Sequence, residues 1–105
     1  MKLLQKQTTF GSTFFVVNQN TAINYPTTIL IAINRHGFHI LDPVKKDNLK
    51  SYDFSELNFW SSGNTFFQIT FGNMMGGFKL LCETTQGYKL DDLLSSYIKF
   101  FNSHE

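Results

Sequence analysis

Cysteine, charge and long apolar runs are all scarce in this 105-residue sequence, and each scarcity excludes something. Its one cysteine, Cys82, rules out an internal disulfide, and nothing in the sequence has a zinc spacing, so a reducing compartment and no metal are expected. Charged residues make up only 16%, with a formal net charge of +1. Nucleic-acid binding depends on clustered Lys and Arg that neutralise phosphates, and here the adjacent pair Lys45-Lys46 is followed at once by Asp47. No nucleic-acid partner is expected. The opening Met1-Lys2-Leu3-Leu4-Gln5-Lys6-Gln7 breaks its apolar run after two residues, which predicts neither a signal peptide nor a membrane span, and a cytoplasmic chain.

What is plentiful is aromatic. Twelve Phe, four Tyr and one Trp sit within a 42% apolar composition, and such side chains suit a pleated, half-buried surface. The length allows one domain with one modest core. Residues 1–10 read as a linker from a preceding element, and 11–105 as the domain.

Strands are predicted at Thr13 to Val17, ended by the polar loop Asn18-Gln19-Asn20, and at Thr27 to Ile33 after Pro26. In the second, Ile29, Ile31 and Ile33 share one face while Leu30 and Ala32 share the other, so both faces should be covered. Asn34 to Gly37 is a hairpin turn, Phe38 to Leu41 returns, and Asp42-Pro43 stops it. Two weaker strands, Leu49 to Phe54 and Leu57 to Trp60, precede a turn at Ser61-Ser62-Gly63-Asn64. Thr65 to Phe71 alternates clearly, with Phe67, Ile69 and Phe71 on one face. Gly72 to Gly77 makes the next hairpin tip, and Phe78, Leu80 and Cys82 face together on the returning strand.

The period then changes. Leu90, Leu93, Leu94, Tyr97, Ile98 and Phe101 recur at helical spacing, with Thr85 as N-cap and Asp91 and Asp92 placed early to meet the helix dipole. A stripe of this width must be buried, and the sheet is what can bury it. The predicted fold class is mainly β with one C-terminal α-helix: a bent, seven-stranded antiparallel sheet capped by the helix, the pleckstrin-homology and phosphotyrosine-binding architecture.

Convergent chemistry is not found. His36, His39 and His104 fall on a turn, a strand and the C-terminus, and Cys82 alternates with core residues as a small buried hydrophobe. Asp91 and Asp92 are neighbours on a helix and diverge by about 100°, so they share no substrate. Ser61-Ser62-Gly63 lacks the strand–turn–helix setting of a hydrolase nucleophile. No catalytic residue and no cofactor is expected.

Three segments carry a family resemblance: Phe10-Gly11-Ser12-Thr13-Phe14-Phe15, Trp60-Ser61-Ser62-Gly63-Asn64-Thr65-Phe66-Phe67, and Lys79 to Thr84 continuing through Gly87 to Ile98. Together they resemble the third, pleckstrin-like lobe of the C-terminal FERM module in class VII-type unconventional myosin tails. The resemblance implies a non-enzymatic, actin-cytoskeleton-associated lobe whose partners are cargo or adaptor proteins, the other FERM lobes and tail-homology domain of the same chain, and its own motor domain. In the family an Arg-x-x-Lys pair serves head–tail contact. The matching positions here are Gly76 and Lys79, so Lys79 alone stands as the candidate.

In this fold the fifth strand and the C-terminal helix border a groove where an extended peptide can add as a strand. Leu57, Phe59, Trp60 and Tyr97 are the groove candidates, and Met74 and Met75 at the glycine-flanked tip are candidate partner contacts. Lys45 and Lys46 are the candidate membrane contacts. The loop 18–26 contains no Lys or Arg, so weak or no lipid binding is expected.

Overall fold

The computed structural model describes residues 12–72 and 77–103, with side chains through Phe100. Seven antiparallel strands run β1 Thr13–Gln19, β2 Thr28–Asn34, β3 Gly37–Leu41, β4 Asn48–Tyr52, β5 Leu57–Ser62, β6 Phe66–Phe71 and β7 Phe78–Glu83, followed by the helix α1, Gly87–Ser103. Their order across the sheet is β4-β3-β2-β1-β7-β6-β5. The predicted mainly-β architecture with a single closing helix is therefore the observed one. The linker read into residues 1–10, the tip residues Met74, Met75 and Gly76, and His104 lie outside the described residues, as does the side chain of Phe101.

The alternation read from sequence sets the core. Phe67, Ile69 and Phe71 of β6 are buried, as are Leu80 and Cys82 of β7, and Ile29, Ile31 and Ile33 of β2. Tyr52 stacks on Phe71 with ring centroids 3.8 Å apart, and Phe38 leans on the same ring at 5.3 Å. From α1, Leu90 and Leu94 enter the core completely, flanked by the partly buried Leu93, Tyr97 and Ile98. The other face of β2 is covered too, since Leu30 and Ala32 form a second buried cluster with Leu41.

The sheet bends where β1 changes partner. It pairs with β2 from Thr13 to Asn18, but with β7 only through Asn18–Glu83 and Gln19–Cys82. The strand runs to Gln19, not to Val17, and the reason is Gln19 itself. Its buried amide donates to the carbonyls of Ala22 (3.1 Å) and Pro26 (2.8 Å) and accepts from the Ala22 N–H (2.8 Å). Its polarity serves the following loop from within.

Other boundaries also move. Phe54 belongs to a short 3-10 turn, Phe54–Glu56, rather than to the fourth strand, because the Glu56 carboxylate folds back to accept the Asp53 N–H at 2.8 Å. Ser61 and Ser62 lie in β5, and the turn is shifted to Gly63, Asn64 and Thr65. The helix starts later than a Thr85 cap requires. Gln86 supplies the first carbonyl, to Leu90 N–H, while the Thr84 hydroxyl accepts the Gln86 N–H at 3.0 Å. Asp91 and Asp92 consequently fall outside the first turn, so the dipole is not what holds them. Gly87 is demanded by packing: a Cβ there would stand 2.2 Å from the Phe66 carbonyl oxygen and 2.9 Å from that of Gly63.

Among the described polar groups, His39 is the most deeply enclosed histidine. Its Nδ1 lies 2.8 Å from Ser51 Oγ and its Nε2 3.0 Å from Asn34 Oδ1, an oxygen that also takes the His36 N–H. Because that amide oxygen can only accept, Nε2 carries a proton. Burial, with a smaller contribution from nearby His36, lowers the His39 pKa below its ordinary 6.5. The unfolded chain then binds the proton more readily than the folded one as pH drops through and below that value, so folding stability falls with acidification in this window. The denaturant midpoint should decline between neutrality and about pH 5, and His39→Gln should flatten that decline. A pH-independent midpoint in the parent chain would contradict the assignment.

Candidate functional site: the junction of the last-paired strand and the helix

β5 ends the sheet order, so one of its backbone edges has no strand partner among the described residues. Across it lies α1. The register of β5 is not uniform: Leu57 pairs with Phe71 and Phe59 with Thr70, leaving Asn58 as a bulge, after which Trp60 pairs with Ile69 and Ser62 with Phe67. Simple alternation would group Leu57 with Phe59. The extra residue instead turns Leu57, Trp60 and Ser62 inward and Phe59 and Ser61 outward.

The four groove candidates therefore part company. Leu57 is buried in the core, whereas Phe59 is 56% exposed on the outer side of the edge strand. Trp60 is half-buried, with its indole N–H donating to Ser95 Oγ of α1 at 3.3 Å. Tyr97 is also half-buried, its ring stacked on Phe54 at 5.7 Å between centroids. Strand and helix are strapped by side chains the sequence reading had given other roles. Ser62 Oγ donates to Asp91 Oδ2 at 2.8 Å, and Ser95 Oγ donates to Asp91 Oδ1 at 3.1 Å. One oxygen of the carboxylate thus ties β5 to α1, while the other steadies Ser95 on the same helix, whose hydroxyl takes the Trp60 N–H. The Asp91–Ser95 spacing of four is visible on a helix, but the partnership with Ser62, 29 residues away, is not local and could not be read.

Elsewhere the candidates stay apart from this junction. Lys79 is exposed on β7 opposite Thr70. Lys45 and Lys46 are exposed in the β3–β4 loop, where Asp42 Oδ1 accepts the N–H groups of Val44 and Lys45 and is held below the ordinary carboxylate range by those bonds. Burial pushes the Cys82 thiol up to about 12, so it is a packing group without nucleophilic character. Among the described residues no cluster of three or more His, Cys, Asp or Glu is arranged to hold a metal ion, and no helix is long and apolar enough to cross a membrane. A shallow hollow of about 780 Å³ lies at the β1–β7 corner, over Phe66 and Leu81 and rimmed by Glu83.

Comparison with known proteins fits this geometry. The family model for the PTB domain (IRS-1 type) matches residues 15–101. Myosin-VIIa of Drosophila melanogaster is 54% identical over 98 residues, covering 93% of this chain and 4% of that protein. Unconventional myosin-VIIb of Mus musculus is 48% identical over 99 residues, covering 94% and 5%. The human myosin 7b C-terminal MyTH4-FERM domain, solved in complex with the harmonin-a PDZ3 domain, superposes with a TM-score of 0.83 at 46% identity, covering 95% of this chain and 20% of that one. The chain thus spans about a twentieth of the length of the myosins it matches.

The strap should matter to stability. Ser95→Ala removes the acceptor of the Trp60 N–H and one donor to Asp91, a loss of about 1–2 kcal/mol. Chemical denaturation followed by emission of the single Trp measures it, and an unchanged midpoint would mean the strap contributes nothing.

Proposed function

We propose the function of this chain from one premise: it belongs to the PTB domain (IRS-1 type) family, as the pleckstrin-like FERM lobe of a class VII-type unconventional myosin tail. It is an interaction module and not an enzyme. Its proposed work is to receive an extended segment of a cargo or adaptor protein as an added strand on β5, beside α1, in the cytoplasm and on actin. The observation that carries this is the unpaired edge of β5 lying next to α1, with Phe59 presented outward. Added strands gain affinity from main-chain hydrogen bonds and specificity from neighbouring side chains. That the human myosin 7b domain was solved with a PDZ domain supports an adaptor as the partner class.

Two further contacts belong to the proposal. Phe14 and Val16 are 50% and 59% exposed beside the buried Ala32 and Leu30, an outward apolar pair suited to the other FERM lobes or the tail-homology domain. Lys79 is the head–tail contact. With Gly76 at the other position, a motor domain would meet one cation where the family pattern offers two.

Titration of the isotope-labelled chain with the harmonin-a PDZ3 domain, or with a neighbouring tail lobe, should move amides at 57–60 and 88–101. Phe59→Ala should weaken that binding about tenfold while leaving the thermal midpoint in place. Shifts confined to other elements would remove β5 and α1 from the interface.

A second reading, attachment to an anionic membrane, rests on Val44, 85% exposed beside Lys45 and Lys46. Near such a surface each lysine contributes about 1 kcal/mol. Weak, salt-sensitive co-sedimentation with phosphoinositide liposomes is the expected result, and none at low salt would discard this reading.

A further inference from the structure

The strap has a chemical consequence for what the junction accepts, given the reading that β5 and α1 receive a partner. Recognition of a phosphate or carboxylate requires N–H and O–H donors aimed at it, ordinarily with Arg or Lys to complete the charge. At this junction the donors exist but are already engaged. Ser62 and Ser95 donate to the two oxygens of Asp91, and Trp60 Nε1–H is held by Ser95.

Among the described residues the charged group bonded to these donors is Asp91, whose sign is wrong for a bound anion. β5 carries no charged side chain, and Asp53 and Glu56 lead into it. On α1, Asp92 follows Asp91, while Lys89 and Lys99 are exposed and no hydrogen bond or ion pair brings them to the Ser62–Ser95 donors. The sequence's one arginine, Arg35, sits on the turn between β2 and β3, off both β5 and α1.

We propose that Asp91 is a resident anion that occupies the donors of the β5–α1 junction, making this PTB-type lobe a receptor for unphosphorylated, neutral or cationic strands and closing it to phosphorylated and acidic ones. Asp91 is then a specificity-determining residue through Ser62, Ser95 and Trp60. It presents its charge where an acidic group would otherwise find three donors.

Phenyl phosphate, which carries the aryl phosphate group without a peptide, tests this on the labelled 105-residue chain. At millimolar concentration it should leave the Trp60 indole and the Ser62 and Ser95 amide signals of the parent chain unmoved. In Asp91→Asn, which keeps the size and one acceptor, the same signals should shift saturably with affinity at least about tenfold above the parent's. Asp91→Ala should do the same by freeing both hydroxyls. Saturable shifts at these signals in the parent chain would overturn the proposal, as would folded variants that gain no phosphate binding. The strand-addition reading is judged separately, by the amides of 57–60 under partner titration, so either can fail while the other stands.

Discussion

The burial of Leu90 and Leu94 against the concave side of the sheet is the contact on which this lobe depends. A curved antiparallel sheet of seven strands exposes an apolar interior that it cannot close alone. α1 closes it, and in doing so lies against β5, one of the two strands that end the sheet order among the described residues. Among the described residues the fold rests on apolar and aromatic packing, with Phe71 at the centre of a ring group formed by Phe38, Tyr52 and Phe78. Small domains bury a limited fraction of their surface, so a single two-leucine plug carries a large share of the whole.

The strands and their buried faces were legible wherever burial follows a local period. Phe67, Ile69 and Phe71, the three isoleucines of β2, and the leucines of α1 fall where alternation and helical spacing put them. Legibility failed where a residue's role is set by a distant partner. Gln19 reads as loop because it is polar, yet it is a buried brace for the loop that follows. The bulge at Asn58 has no sequence marker, and it reverses which neighbours share a face with Leu57. Thr85 reads as the cap, and only the wedging of Gly87 against the Gly63–Phe66 turn moves the helix start beyond it.

The candidate site divides in the same way. The segment of β5 and the helix were identifiable from fold and family resemblance, but the group that joins them was not. Asp91 looked like a residue favoured by the start of a helix. It proved to bridge Ser62 and Ser95, while the four groove candidates separated into one core residue, one exposed edge residue and two half-buried aromatics. An interaction module gains from such an arrangement, because a rigid junction loses little conformational freedom when a partner docks.

The change of partner along β1 bears on where the sheet would yield to a pulling force. Its two halves, β4-β3-β2-β1 and β7-β6-β5, share a hydrogen-bonded seam only two residue pairs wide. Traction pulling one half away from the other would meet those few backbone bonds first. Across the seam the β1–β2 loop adds a side-chain bond, Leu81 N–H donating to Thr21 Oγ1 at 3.3 Å, and the Gln19 amide holds in shape the loop that presents Thr21.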